Sequence, residues 1–308
     1  MLEHVTVLKN EAVDYLNIKP NGIYVDMTLG GGGHSSLILS KLTTGHLYSF
    51  DQDEYAIGRA KDILDKVGSN YTIIKSNFKN VKNELNKLGV EKIDGVLYDL
   101  GVSSFQFDDA KRGFSYRLDA PLDMRMNTEQ ELSAKIIINE WPVSDLINIF
   151  YKYGEEKFSK QIAFAIEKAR QQKTIETTFE LVEIIKSALP SKVLRQKGHP
   201  AKQVFQALRV AVNDELKVFE ISLNDSLSML NKGGRAVVIT FQSLEDRIAK
   251  HIFKESSTLD IPEGVPMATK GKVAPFSLIT RQAILPSDEE IERNNRSHSA
   301  KMRVLEKN

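Results

Sequence analysis

Three groups of residues in this chain could do chemistry. The first is Asp26-Met27-Thr28-Leu29-Gly30-Gly31-Gly32-Gly33-His34-Ser35, with Asp51 following the last glycine by 51 − 33 = 18 positions. Glycines between a strand and a helix permit positive φ and let a ligand approach the backbone closely. The helix start beyond them offers unpaired N–H groups and a positive dipole end. An acid at that spacing suits a carboxylate accepting hydrogen bonds from a ribose diol. The second group opens the long stretch Asp99 to Met126, DLGVSSFQFDDAKRGFSYRLDAPLDMRM, which follows the apolar Val96-Leu97-Tyr98. It is polar, turn-forming and charged, with no helical or strand period. A stretch of that length within a compact domain is usually functional, and strand ends are where open α/β sheets place ligands. Asp99, Ser103, Ser104 and Gln106 stand at its mouth. The third group is basic. Ile184 to Asn213 holds no acid but carries Lys186, Lys192, Arg195, Lys197, His199, Lys202 and Arg209, and Arg293 to Leu305 repeats the pattern with Arg293, Arg296, Lys301 and Arg303.

A glycine turn plus an acid serves nicotinamide dinucleotides and S-adenosylmethionine alike. Two details favour the latter. Asp26 precedes the glycines, where a carboxylate can hold a cationic methionine moiety and would repel a pyrophosphate. Asn77 and Phe78 follow the third strand, where an amide and an aromatic fit an adenine. Methyl transfer from a sulfonium mainly needs alignment. An exocyclic amine target also needs an acceptor, and Asp99 could serve the target or the cofactor. Pro121-Leu122-Asp123-Met124-Arg125-Met126 reads, as bare composition, as packing plus an ion pair. The basic runs are either solvated faces or a local phosphate footprint.

These groups need elements to position them. Strands are expected at Gly22–Asp26, His46–Asp51, Tyr71–Lys75 and Ile93–Asp99, with helices at Ser35–Leu42, Glu54–Val67 and Val81–Leu88 between them. Such alternation means βαβ units and a parallel sheet. From Asp108 to Pro200 no strand is expected, only helices at Ser144–Tyr153, Glu155–Gln172 and Thr178–Leu189. Val204, Leu208, Val212, Leu216, Phe219, Leu223, Leu227 and Leu230 then recur every three or four residues, which predicts one long amphipathic helix. A turn at Gly233-Gly234, a fifth strand at Arg235–Phe241, a helix from Ser243 and strands at Ser277–Ile284 and Met302–Leu305 complete the pattern. The expected class is α/β with a small all-helical insertion. Residues 1–107 and 200–308 would form the parallel-sheet domain, and 108–199 the insertion.

Composition narrows the function further. The chain of 308 residues suits about two domains. Without cysteine there are no disulfides and no thiolate metal sites. The six histidines show no ligand spacing, so no metal is expected. A net charge of +1 means that nucleic acid, if bound, meets local patches rather than a polycation. No apolar run reaches the ~18 residues of a membrane span, and MLEHVTVLKNEAVDYL lacks the apolar core of a signal peptide. The expected location is the cytoplasm.

Taken together, these residues resemble the bacterial 16S ribosomal RNA (cytosine-N4)-methyltransferases that act on a decoding-centre, P-site cytidine. The resemblance runs from His4-Val5 and Glu11-Ala12-Val13 through Asp26–Ser35, Asp51-Gln52-Asp53 and the distinctive block Asp99–Met126. It continues through Tyr153–Phe158, His199-Pro200-Ala201, Phe205–Arg209, Ser243–Arg247 and Arg296–Arg303. It implies a Rossmann-like methyltransferase sheet with an inserted helical domain for substrate recognition. It also implies S-adenosylmethionine as methyl donor, without a metal, and 16S rRNA of the small ribosomal subunit as substrate. The cofactor contacts it implies fall on Gly32, Gly33, His34, Asp51, Phe78, Asp99 and Gln106, with Asp99 the candidate catalytic residue. The chain departs from the family at Phe105, Phe107, Asn127, Gln242, Asn295 and His298. At Gln242 the family usually carries histidine. Glutamine keeps hydrogen-bonding capacity but does not titrate near neutral pH. A nicotinamide oxidoreductase, a small-amine methyltransferase and a non-catalytic assembly factor are the rival readings.

Overall fold

A computed structural model describes residues 6–102, 107, 109–259 and 273–308. The contacts divide the chain into two compact units, Met1–Gly101 with Leu216–Asn308, and Val102–Glu215.

The first unit is built on seven strands: β1 Ile23–Asp26, β2 His46–Asp51, β3 Tyr71–Lys75, β4 Ile93–Asp99, β5 Leu230–Thr240, β6 Phe276–Leu278 and β7 Lys301–Lys307. Their order across the sheet is β3-β2-β1-β4-β5-β7-β6. Strands β1 to β5 are mutually parallel, and β7 runs antiparallel to both β5 and β6. This is the Rossmann-like α/β class expected. Chain order reverses at β1: β2 and β3 lie on one side, β4 and β5 on the other. Ligands of open α/β sheets bind outside the carboxyl ends of strands at such a switch.

The sheet is covered on both faces, which is why its central strands read as unbroken apolar runs. In β4, Val96 and Tyr98 pack on one face with Val25, Phe50 and Val238, whereas Leu97 faces the other with Tyr24, Leu47 and Val237. Helices α1 Lys9–Tyr15, α2 Gly33–Ser40, α3 Glu54–Leu64 and α4 Val81–Lys87 precede or join the first four strands. Asp53 caps α3 by accepting the Tyr55 N–H at 3.0 Å.

The second unit is helical: α5 Ala134–Glu140, α6 Val143–Lys152, α7 Ser159–Arg170, α8 Thr178–Ala188, α9 Ser191–Leu194 and α10 Lys202–Asn213. Its core gathers Leu122, Met124, Ile137, Phe150, Ile162, Leu181, Phe205 and Leu208. Thr177 and Glu180 start α8 with a reciprocal capping box.

Four expectations are corrected. The single long helix is two, α10 and α11 Glu215–Met229, broken at Asp214, whose φ of 49° is left-handed. Apolar periodicity ran across the break because both halves bury a face, and aspartate tolerates the left-handed region better than most residues. Gly233-Gly234 lies inside β5 rather than before it. Between the pairs Ile93–Leu230 and Gly95–Arg235, β4 advances two residues and β5 five, so the glycines form a bulge. The helical unit also spans more than 108–199, because α10 packs into its core. The expected strand at Ser277–Ile284 shrinks to β6 plus an isolated bridge from Ile284 to Met302. Among the described residues, no helix is long and apolar enough to cross a membrane.

Candidate functional site

Every described candidate cofactor residue belongs to the first unit and sits at the carboxyl ends of β1, β2, β3 and β4. At β1, Leu29 donates to the Phe50 carbonyl of β2, and Gly32 turns back onto Leu29 at 2.7 Å. Gly30 and Gly32 adopt φ of 47° and 77°. Gly33 opens α2, and a Cβ there would fall 1.8 Å from Thr6 Oγ1. The glycine thus lets the N-terminal segment lie against the turn.

Asp26 is wholly buried. Its Oδ1 accepts the Thr28 N–H at 3.0 Å and its Oδ2 the Ser35 hydroxyl at 2.7 Å, with the Ser49 hydroxyl 2.8 Å farther on. Burial pushes its carboxyl above the usual range, against these hydrogen bonds. Asp26 therefore ties β1 to the start of α2. This corrects the idea that it meets a cationic ligand directly. The sequence could not show that both its oxygens turn inward.

Asp51 ends β2 and faces the same turn. Its Oδ2 accepts the Gly30 N–H at 2.9 Å and its Oδ1 the Asp53 N–H at 2.9 Å. Desolvation lifts its carboxyl to about 6, and the Asp53 charge adds to the rise. Phe78 follows β3, half-buried, its ring edge-on to Tyr98 at 5.9 Å. Asn77 caps the short turn by accepting the Lys79 N–H at 2.9 Å and donates to Gln52 at 3.2 Å.

Asp99 ends β4. Its backbone N–H donates to Thr28 Oγ1 at 2.8 Å, which locks β4 against the β1 turn. Its Oδ1 is buried without a hydrogen-bond partner. Desolvation raises its carboxyl well above the usual range, and the charges of Asp26, Glu245 and Glu290 raise it further. His34 is buried beside it. Its Nε2 lies 3.1 Å from the Val7 carbonyl, and its Nδ1 lies 3.6 Å from Asp99 Oδ2. A carbonyl only accepts, so Nε2 carries the hydrogen, while 3.6 Å is too long for a hydrogen bond to Asp99. Gln106, Ser103 and Ser104 lie outside the described residues.

Glu245 and Glu290 were not foreseen as site residues. Glu245 carried only the signature of a first-turn acid; it is buried and accepts the Phe241 and Gln242 N–H groups at 2.9 and 3.2 Å. Glu290 receives the Leu8 N–H at 2.8 Å. No local pattern could link two residues 282 positions apart. The outcome is a cluster of acids at one sheet edge with an unused acceptor at its centre. That suits a ligand carrying positive charge and N–H donors, as S-adenosylmethionine and an amine do. Among the described residues, no group of histidines and acids could hold a metal ion.

The basic runs separate. In the second, Arg303 pairs with Asp246 at 2.7 and 3.1 Å, Lys301 approaches the same carboxylate at 3.7 Å, and Arg293 pairs with Glu289. That run is largely neutralised within the fold. In the helical unit, Lys186 pairs with Glu183 and Arg209 with Glu215. Lys192, Arg195, Lys197 and Lys202 are exposed, and none of them pairs with an acid among the described residues. Beside them the Tyr116 and His199 rings stack at 4.3 Å, with Arg117 over Tyr116. Desolvation and the charges of Lys186 and Arg117 hold His199 below its usual range.

The sequence profile of the MraW methylase family matches residues 1–308. A protein named ribosomal RNA small subunit methyltransferase H, from Streptococcus dysgalactiae subsp. equisimilis, is 57% identical over 309 residues, covering 99% of this chain and 97% of that protein. Among solved structures, an rRNA methylase of Streptococcus thermophilus gives a TM-score of 0.44 at 13% identity, covering 99% of this chain and 98% of that one. A Streptococcus mutans methyltransferase crystallised with SAH gives 0.45 at 13% identity, covering 99% of this chain and all of that one.

Proposed function

This chain belongs to the MraW methylase family, and from that premise we propose that it transfers a methyl group from S-adenosylmethionine to the N4 amine of a decoding-centre cytidine in 16S rRNA. The chain is a methyltransferase, and small-subunit ribosomal RNA is its substrate. The observation that carries the finer reading is the unpaired Asp99 Oδ1 among Asp26, Glu245 and Glu290.

S-adenosylmethionine, when bound, supplies an electrophilic sulfonium methyl. The chain's own residues do the rest. Asp51 accepts the ribose hydroxyls, and Phe78 presents an aromatic face to adenine. The backbone of Gly32 and Gly33 allows close approach at the turn. His34 is a positioning residue, held by Val7 and set against Asp99. Gln106 remains a proposed cofactor contact on the resemblance alone. Asp99 Oδ1 accepts a hydrogen from the target amine, and its raised proton affinity makes it the group to hold the proton that the methylated nitrogen must release. The acidic surroundings favour a cationic cofactor beside it, and that cation in turn draws Asp99 towards its ionised, accepting form.

Exposed Lys192, Arg195, Lys197 and Lys202 support a grip on the RNA backbone, which carries affinity without sequence information. The target base must leave its stack to present its amine. The cytoplasm, where small subunits reside, is the proposed location.

The test is radiolabelled methyl transfer from S-adenosylmethionine to small ribosomal subunits that lack the modification, followed by nucleoside analysis. Label in N4-methylcytidine supports the reading. Cofactor binding without label on subunits would sink it in favour of a small amine substrate or a non-catalytic assembly role.

A further inference from the structure

Among the described residues of the first unit, two buried acceptors lack partners: Asp99 Oδ1 and Gln242 Oε1. Buried polar atoms are paired in the great majority of folded proteins, so each exception calls for a physical reason. Both stand at the ends of adjacent parallel strands. Asp99 closes β4 and pairs with Ile239 of β5, and Leu100 donates to the Ile239 carbonyl at 3.0 Å. Gln242 stands two residues beyond the end of β5 at Thr240.

The carboxamide of Gln242 is fixed in one orientation. Its Nε2 donates to Glu245 Oε1 at 2.7 Å. An ionised carboxylate can only accept, so the nitrogen must face Glu245; the side chain sits in the capping position over the Glu245 N–H, but its oxygen completes no hydrogen bond there. Glu245 is itself anchored by the Phe241 and Gln242 N–H groups, and its charge acts on Asp99. The two unpaired oxygens therefore belong to one electrostatic neighbourhood.

We infer that Asp99 Oδ1 and Gln242 Oε1 form a two-acceptor subsite for the primary aromatic amine of the target base, one N–H to each oxygen. The inference rests on the target proposed above and adds Gln242 as a specificity-determining contact. An amine brings two N–H donors, whereas the carbonyl of uracil at the same position brings none and would face two acceptors. Sites built to bond a donor reject the analogue that lacks it far more strongly than apolar pockets reject a methylene. Engaging both hydrogens also fixes the plane of the amine, and with it the direction from which its lone pair reacts.

Two variants test this on unmodified small subunits. Gln242→Lys keeps a donor for Glu245 but has no acceptor. Its kcat should fall roughly tenfold to a hundredfold, with S-adenosylmethionine affinity and thermal midpoint little changed. Gln242→His offers one donor and one acceptor while neutral. Read as kcat at saturating cofactor, it should recover most of the turnover at alkaline pH and lose it as the imidazolium forms near or above pH ~6.5, a limb added to those that Asp99 and Asp51 give the unsubstituted protein. If Gln242→Lys turns over at the unsubstituted rate, or if Gln242→His shows no new acid limb, the subsite is wrong. Should Gln242→Lys unfold, the pH profile of Gln242→His decides alone. Absence of N4-methylcytidine with the unsubstituted protein rejects the target reading itself, an outcome distinct from either.

Discussion

Asp99 and Asp123 stand in one continuous stretch of sequence, yet they live in opposite circumstances. Asp99 belongs to the sheet unit, has one oxygen unpaired, and is pushed towards neutrality by burial and by three other acids. Asp123 belongs to the helical unit and is saturated: Arg125 reaches it through its backbone N–H at 2.9 Å, Nε at 2.8 Å and a terminal nitrogen at 2.7 Å. Those contacts, with the charge of Arg112, outweigh burial and hold Asp123 below the usual carboxylate range. Around it the chain is knotted by Arg112 donating to the Arg125 and Met126 carbonyls, and by Asn213 bridging Met126 and Met124. Met124 is fully buried at a left-handed φ of 61°. A carboxylate with its contacts complete is architecture; one kept short of contacts at a strand end is available for a ligand.

The largest test of this contrast is Asp99→Asn. We expect kcat to fall by about a thousandfold, measured by methyl transfer to subunits, while the thermal midpoint holds or rises. The sign follows from linkage. Asp99 is raised in the folded state, so its contribution to stability is complete below its unfolded pKa and is lost as pH rises through the folded one. Above its unfolded pKa, holding Asp99 in the fold costs free energy, whether as a buried charge or as an added proton, and asparagine removes that cost. A variant that is active, or markedly less stable, would erase the distinction.

Gly33→Ala is next. Its methyl group would run into the Thr6 side chain, displacing the segment that supplies the Val7 carbonyl to His34 and the Leu8 N–H to Glu290. Cofactor affinity, read by calorimetry, should weaken by about tenfold to a hundredfold, equivalent to roughly 1–3 kcal/mol of overpacking strain. Unchanged binding would show that the N-terminal segment does not shape the site.

Asp51 gives a smaller, graded effect. With its carboxyl at about 6 and ribose hydroxyls favouring the ionised form, cofactor affinity should be flat at alkaline pH. It should drop by about tenfold per unit once the pH is below that value. Asp51→Asn should flatten the profile. If the acid limb persists in that variant, another group is responsible.

The smallest effect expected is that of Asp123→Asn. Its ion pair is partly exposed, so its loss should lower stability by about 1 kcal/mol, read by denaturant unfolding. The pH dependence is opposite to that of Asp99: the stabilisation is present above the unfolded pKa and lost as pH falls through the lowered folded pKa. Cofactor affinity should be unaffected, because the described cofactor residues lie in the other unit. A large loss of binding would break the comparison from this side.

Local signals made much of the frame legible. The second, third and fourth strands run over the residues expected, because parallel strands buried on both faces are short apolar runs bounded by helices. The glycine turn, Asp51 at the end of β2 and Phe78 after β3 were readable for the same reason. Periodicity misled at Asp214, where a left-handed residue breaks two helices that each keep their own apolar face. It was silent about α1 and α5, which are too short to show a period. The second basic run was read as open charge, since nothing local reveals that Arg303 folds onto Asp246, 57 positions away.

By itself, the sequence determined the α/β class, the helical insertion, the glycine turn with its acids, and the family to which the chain belongs. These are written in spacing and composition, which need no knowledge of distant neighbours. Only the tertiary structure decided that Asp26 is spent inside the fold, that Glu245 and Glu290 surround Asp99, and that Gln242 holds its oxygen free. Whether a polar atom is paired depends on groups brought together across the sheet, and burial then fixes how strongly an unpaired acceptor seeks a ligand.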